Sequence, residues 1–72
     1  MNQVILTDNN GVVIGYELDS IAHIRHGKAK DLYSKSDLAA NGLLPMESLL
    51  QIEFKDGKIA SFPSTWTMTF TL

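Results

Sequence analysis

The last eight residues of the chain, TWTMTFTL (65–72), alternate without exception between threonine and a large apolar residue. Successive side chains of a β-strand point to opposite faces, whereas a helix would spread this pattern around its whole surface. The segment is therefore predicted to be a strand with one buried face and one wet face. The predicted buried side chains are Trp66, Met68, Phe70 and Leu72, and the predicted wet ones are Thr65, Thr67, Thr69 and Thr71.

A first β-hairpin is predicted near the start of the chain. Residues 2–7 (NQVILT) and 12–18 (VVIGYEL) are β-rich runs that flank the turn formers DNNG (8–11), and an Asn-Gly turn between such runs favours a hairpin. A glycine inside a strand suggests a bulge or a close approach by another backbone, so Gly15 marks such a place in the second run.

A second hairpin is predicted around KDGK (55–58), which separates LLQIEF (49–54) from IASF (59–62). A three-residue loop with a left-handed Gly57 is preferred over a two-residue loop, because it collects more apolar side chains on one face. That register pairs Ile52 with Ala60 and Leu50 with Phe62. Proline cannot donate to a ladder, so the return strand is expected to break at Pro63.

The middle of the chain is predicted to contain helix within residues 20–42, in two pieces. The first piece would be capped by Asp19 or Ser20, but Gly27 disfavours it by about 1 kcal/mol relative to alanine. Residues 20–26 also fit a continuation of the second strand, which a loop or short helix across 28–35 would then follow. The second piece has clearer signals, with Ser36 as N-cap and Asn41-Gly42 as its end.

The fold class that follows is a small α+β single domain covering residues 1–72. It has about five mostly antiparallel strands, as two hairpins plus a C-terminal strand, with a short helical segment between the hairpins. A small β-barrel is the alternative. The chain has 72 residues, 44% hydrophobic residues and no cysteine, so a marginal core without disulfides is expected to bury apolar surface elsewhere. A homodimer or a complex with another protein would do so.

The sequence carries no enzyme signature. Its glycines fit neither a dinucleotide-binding motif nor a P-loop, and no serine sits in a nucleophile elbow. We therefore expect no catalytic residue and no cofactor. Asp19, His23 and His26 would share one face of a helix and could meet a metal ion, but such short histidine spacings often arise by chance. A small metal-dependent enzyme is the least favoured hypothesis.

The basic segment 23–35 is a candidate partner-binding region. Residues 20–35 carry a charge of +3, whereas residues 1–19 carry −3 and residues 36–72 carry −2. A run of this kind usually forms a solvated face, but it could also contact phosphates or an acidic protein. A nucleic-acid-binding regulator is therefore the alternative function. The residues proposed to make contact are Arg25, Lys28, Lys30, Tyr33 and Lys35.

The threonine row is the second candidate. Threonine is a good β-former that tolerates water, so such a row is usually the wet side of a half-buried sheet. Natural edge strands are usually protected by lysine or proline, and residues 65–72 contain neither. Either this strand is central in its sheet, or its edge binds a partner strand. In the second case Thr65, Thr67, Thr69 and Thr71 would line the contact.

The expected location is the cytoplasm, without a membrane association. The chain begins at Met1 without a basic leader, and the longest apolar runs, 4–6 and 12–14, are too short for a signal peptide or a membrane span.

The stretch VILTDNNGVVIGYELDSI (4–21) resembles the opening hairpin of PRC-barrel-type small β domains. In both, a turn glycine, a strand and an Ile-Gly pair lead to an aspartate. The resemblance covers about a quarter of the chain and carries no functional residue across, and the basic, helix-predicted middle departs from such barrels. In its short, cysteine-free form the chain also resembles accessory proteins of phages and mobile elements. The main hypothesis is a non-enzymatic protein–protein interaction module, such as a phage-type inhibitor or regulator of a host protein.

Overall fold

The computed structural model describes residues 2–72 and divides them among six strands, two short helices and one 3-10 turn. The elements, in chain order, are β1 Gln3–Thr7, β2 Val13–Glu17, the 3-10 turn Leu18–Ser20, β3 Ile21–Lys28, α1 Ala29–Leu32, α2 Lys35–Ala40, β4 Ser48–Phe54, β5 Ile59–Pro63 and β6 Thr67–Thr71.

The strands form two antiparallel three-stranded sheets. Sheet A has the order β2-β1-β6 and sheet B has the order β3-β4-β5. This confirms the small α+β class with two hairpins and a C-terminal strand. Within residues 2–72 the two sheets do not close into the barrel that was the alternative. None of the helices in this part of the chain has the length and apolar character to cross a membrane.

The structure has one strand more than the five predicted, and this strand is β3. It corrects the prediction of a first helical piece. Residues 21–28 pair with β4, and the 3-10 turn moves the chain from sheet A to sheet B, so β3 does not continue β2 either. Ile21 lies opposite Phe54 and Ile24 lies opposite Ile52, with a register shift between residues 21 and 23. The extra residue of this bulge puts two isoleucines three positions apart on one face of a strand. The same spacing is typical of a helix, which explains the wrong prediction.

The main core lies between the two sheets. Its buried side chains come from β1, β4 and β5 and are Val4, Leu6, Leu50, Ile52 and Phe62. Aromatic rings extend this core on both sides. The rings of Tyr16 and Phe54 lie 5.0 Å apart at an interplanar angle of 63°, an edge-to-face arrangement that favours aromatic pairs.

A second, smaller core lies on the other face of sheet B. Leu49 of β4 packs there against Ala29 of α1 and Leu38 of α2, and all three are buried. The molecule therefore has three layers: sheet A, sheet B and the helices. Because β4 is the middle strand of the middle layer, it is covered on both faces.

Both hairpins close with the same three-residue loop. Asp8 N–H donates to the Val12 carbonyl over 3.0 Å, and Phe54 N–H donates to the Lys58 carbonyl over 2.8 Å. The last residue of each loop is a left-handed glycine, with φ of 84° at Gly11 and 92° at Gly57. The predicted second-hairpin register, Ile52 with Ala60 and Leu50 with Phe62, is confirmed.

The second helix ends where the sequence predicted but starts earlier. The N-cap is Ser34 rather than Ser36, and its hydroxyl accepts a hydrogen bond from Asp37 N–H over 3.2 Å. At the other end Gly42 has a φ of 64°, and Leu43 N–H donates to the Leu38 carbonyl over 2.9 Å. This pairing is the Schellman motif, which satisfies the last carbonyls of a helix.

The C-terminal strand is extended as predicted, but only half of its apolar side chains are in the core. Trp66 and Met68 pack against the main core. Phe70 is 49% exposed and Leu72 is 93% exposed, so their predicted burial is wrong. The core ends at Met68, and the strand continues beyond it.

Gly15 in β2 marks neither a β-bulge nor a close approach by another backbone. The β1–β2 register is regular, and the atoms nearest to Gly15 belong to side chains. A Cβ atom at this position would lie 3.2 Å from Cδ1 of Ile5. The glycine leaves room for that isoleucine on the outer face of sheet A.

Replacing Ile52 by alanine should destabilise the protein severely. The side chain is fully buried between the sheets, and such truncations cost about 2–5 kcal/mol. Ile59→Ala is the matched control, since Ile59 is 51% exposed and its loss should cost about 1 kcal/mol or less. Urea unfolding followed by circular dichroism measures both, and equal losses would contradict the assigned core.

Gly57→Ala should destabilise the protein by about 1–2 kcal/mol, because a left-handed backbone is strained for a residue with a Cβ atom. Gly27→Ala is the control. Gly27 has no positive φ, and its added Cβ would lie 3.8 Å from Cδ2 of Leu32, an ordinary contact. We expect that variant to be as stable as the wild type or slightly more stable. The same unfolding measurement separates the two, and a stable Gly57→Ala variant would contradict the loop geometry.

Candidate functional site

The basic residues predicted to bind a partner are divided among three elements. Arg25 lies within β3 and Lys28 ends it, Lys30 is in α1, and Lys35 begins α2. Arg25 lies opposite Gln51 and Lys28 opposite Ser48, so the two side chains leave opposite faces of sheet B. The basic segment 23–35 therefore does not present Arg25 and Lys28 on one surface.

Arg25 has a structural role that the sequence did not reveal. Its Nη1 donates to Oε1 of Gln51 over 3.1 Å and to Oε1 of Glu53 over 3.3 Å. Gln51 is only 2% exposed, and its Nε2 donates to the Leu32 carbonyl over 3.4 Å. A buried amide costs free energy unless it is hydrogen-bonded. Arg25 thus satisfies the buried Gln51, and its half-exposed ion pair with Glu53 adds at most about 1 kcal/mol.

Tyr33 lies at a shallow groove between α2 and β5, where its hydroxyl hydrogen-bonds the Ser61 hydroxyl. The groove has a volume of about 430 Å³. Its lining residues are Tyr33, Asp37, Asn41, Leu43, Ile59 and Ser61. The Asn41 amide is also engaged, because its Nδ2 donates to the Asp37 backbone carbonyl over 2.8 Å.

The histidines do not form the metal-binding face that a helix would have given. His23 lies opposite Glu53 and His26 opposite Leu50, so their side chains leave opposite faces of β3. Asp19 is in the 3-10 turn before the strand. Among residues 2–72, no three histidine or carboxylate side chains lie close enough to hold a metal ion together.

The threonine row forms the outer face of sheet A, away from the core. Thr67, Thr69 and Thr71 are exposed on β6, whereas Thr65 lies in the turn that precedes the strand. Thr71 Oγ1 donates to the Gln3 carbonyl over 3.4 Å. Across β1 and β2 the same face continues with Gln3, Ile5, Thr7, Val13, Gly15 and Glu17. Glu17 is the one ionisable side chain of these strand residues on this face.

β6 is an edge strand, because its sheet neighbour is β1 alone. The backbone groups that it exposes follow from the hydrogen bonds of β1. Residues of an antiparallel ladder turn their N–H and C=O alternately to one neighbour and to the other. Asp8 N–H donates to the Val12 carbonyl and Leu18 N–H to the Asn2 carbonyl, each over 3.0 Å. The even-numbered residues of β1 therefore bond to β2, and the odd-numbered ones bond to β6.

This alternation decides which part of β6 is free. Ile5 lies opposite Thr69, and the other odd-numbered residues of β1 likewise lie opposite threonines. The threonines thus turn their backbone groups to β1. The N–H and C=O groups of Met68 and Phe70 point away from the sheet, at an edge where Phe70 is itself half exposed. We name the outward backbone groups of Met68 and Phe70, with the side chains of Thr67–Thr71, the β6 edge.

The two sheets have four edge strands within residues 2–72, and β6 differs from the other three. Edge strands usually carry charges, prolines or other devices that prevent pairing with another chain. β2 ends in Glu17, β3 carries Arg25 and Lys28, and β5 ends in Pro63. The strand Thr67–Thr71 has no charge, no proline and no glycine. The β6 edge is therefore the one that the sequence leaves unprotected.

Compared with known protein families, with curated proteins and with solved structures, the chain shows no significant match. The site is therefore assigned from its geometry and chemistry.

The free β6 edge predicts an alternating pattern of amide hydrogen exchange in dilute protein. The amides of Met68 and Phe70 should exchange quickly because they face solvent, whereas the amide of Thr69 should be protected by its bond to β1. Exchange followed residue by residue with NMR measures this. Equal protection at Thr69 and Phe70 in dilute solution would contradict the assignment of Thr69 as bonded to β1 and of Phe70 as facing solvent.

Proposed function

We propose that the chain is a non-enzymatic protein–protein interaction module that binds a strand of another protein along the β6 edge. The observation that supports this best is a contrast among the four edge strands within residues 2–72. β2, β3 and β5 each carry a charge or a proline, whereas β6 carries neither. Unprotected edges are an aggregation hazard. A strand edge that is kept open is therefore best understood as a binding surface.

Strand addition uses the groups that this edge presents. An incoming strand would receive main-chain hydrogen bonds from Met68 and Phe70, which supply affinity independent of the partner's sequence. The side chains that alternate along the strand supply specificity. On the outer face the partner would meet Thr67, Thr69 and Thr71, and on the inner face the half-exposed ring of Phe70. The preferred partner is therefore a strand that is itself uncharged and alternates small polar with apolar residues.

The edge is also held ready for binding. Trp66 and Met68 anchor β6 in the main core, and the ring centroids of Trp66 and Phe62 lie 5.3 Å apart. A strand that is already ordered loses little conformational entropy when a partner binds, so more of the interaction energy appears as affinity.

We place the module in the cytoplasm, because a chain without cysteine lacks the disulfides on which many small secreted domains rely. An inhibitor or regulator of a host protein, of the kind that phages and mobile elements encode, belongs to the same functional class. Such a protein can act by occupying a partner's strand and needs no catalytic group.

The test compares Phe70→Pro with Phe70→Ala. Both variants remove the half-exposed ring, but only proline removes the outward N–H, and proline is tolerated at an edge where that N–H faces solvent. Nine-residue peptides are first selected from a displayed library on the wild-type protein and then titrated into dilute samples of both variants. We expect the dissociation constants to be about tenfold higher for Phe70→Pro than for Phe70→Ala, since one main-chain hydrogen bond is lost.

Circular dichroism and thermal unfolding are used to verify that both variants are folded before their affinities are compared. Peptides that bind both variants equally, or a library that contains no binder, would contradict the proposed function. Because the two variants share the loss of the ring, a difference between them reports on the backbone alone.

A further inference from the structure

We propose that the strand that the β6 edge binds is the β6 of a second copy of this chain, in an antiparallel pair with Thr69 on the two-fold axis. The inference rests on the proposed function, since it uses the same edge. It adds that a second copy occupies this edge when no strand of another protein is bound, so that the two strands compete for it. Three properties of β6 support it: the order of its residue types, the direction in which each residue turns its backbone N–H and C=O groups, and the position of its exposed apolar residues.

The sequence of β6 shows the same alternation of threonine and apolar residues when it is read in either direction. Thr67–Thr71 reads TMTFT. Antiparallel pairing about Thr69 places Thr67 opposite Thr71, Met68 opposite Phe70, and Thr69 opposite its own copy. Every threonine then meets a threonine and every apolar residue meets an apolar one. Threonine pairs and apolar pairs across strands are both favourable, and no like charges face each other.

The directions of the backbone N–H and C=O groups along β6 fit the same two-fold axis at Thr69. Thr69 turns its N–H and C=O to Ile5 of β1, so at the new edge it would form a non-hydrogen-bonded pair with Thr69 of the second copy. In such a pair the neighbouring positions on either side exchange hydrogen bonds. These positions are Met68 and Phe70, whose backbone groups point outward. All the outward groups of the two residues would thus be satisfied in one symmetric pairing.

The exposed apolar residues of the strand would be covered by the same arrangement. Phe70, 49% exposed in the single chain, would lie beside Met68 of the second copy, and the 93% exposed Leu72 would lie beside Trp66 of the second copy. A 72-residue chain buries a smaller fraction of its apolar surface than a larger domain does. Association at this edge would bury more of that surface.

The other edge strands fit self-pairing less well. Across a two-fold axis each charge of a strand faces a charge of the same sign or lies close to one, which costs free energy. Glu17 on β2, and Arg25 and Lys28 on β3, would create such contacts, and Pro63 on β5 cannot donate a hydrogen bond. β6 is therefore the edge that fits a second copy.

The experiment places charges on the two-fold axis. Thr69 is exposed, so Thr69→Lys and Thr69→Glu should leave the single chain folded, which circular dichroism verifies. Each variant alone would bring two like charges together at the axis. We expect the wild type to sediment as a dimer at high concentration and each variant alone to have a dimer dissociation constant raised at least about tenfold. An equimolar mixture of the two variants should regain the dimer as a Lys–Glu heterodimer.

Val13→Lys is the matched control, because Val13 is 59% exposed on the same sheet face but on the opposite edge strand. It should dimerise like the wild type. A strictly monomeric wild type at high concentration would overturn the inference. A dimer that both Thr69 variants keep would overturn it as well, and so would a mixture that fails to restore association, since only a Thr69-centred axis pairs this residue with itself.

The two sets of experiments distinguish a failure of self-pairing from a failure of the proposed function. A monomeric wild type whose selected peptides still distinguish Phe70→Pro from Phe70→Ala would refute the second copy as occupant and leave strand addition intact. A dimer sensitive to charge at Thr69, in a protein for which the peptide library yields no binder, would support the self-pairing and refute binding of other strands.

Discussion

The double burial of β4 is the constraint on which the rest of the structure depends. One face of this strand, with Leu50 and Ile52, closes the core against sheet A, and the other face, with Leu49 and Gln51, is covered by the helical layer. Antiparallel sheets commonly leave one face to water. By covering both faces of its middle strand, a chain of this length obtains two cores from one short sheet. The arrangement also buries one polar side chain, and Arg25 is held in place because it satisfies that amide.

The open β6 edge is a consequence of this three-layer plan. Two separate three-stranded sheets have edges, whereas a closed barrel would have none. Three of the four edges in the described chain carry a charge or a proline, and the fourth consists of threonines and apolar residues anchored by Trp66 and Met68. The anchor gives the edge a fixed shape, while the position of Phe70 beyond the core leaves an apolar ring at its rim. Both properties support the proposed binding of a strand at this edge.

The sequence predicted the local parts of this structure well. The left-handed Gly57 determined the register of the second hairpin, and Asn41-Gly42 ended the second helix, because turn and cap geometry depend on a few neighbouring residues. β3 was missed since a bulge brings Ile21 and Ile24 to one face and imitates the spacing of a helix. For the candidate site, the alternation in β6 predicted the threonine face, but the same alternation also predicted burial of Phe70 and Leu72, which the extent of the core prevents.

By itself, the sequence determined where the two hairpins turn, which strands form them and which face of β6 is wet. These properties depend on φ preferences and on the period-two alternation of side chains, and both act between residues close in the chain. Only the tertiary structure decided that β6 pairs with β1, that β3 pairs with β4, and that β6 has a free edge. The physical reason is that the backbone N–H and C=O groups of all strands are alike. Which strand lies beside which is therefore decided by how the buried faces pack together across the whole chain.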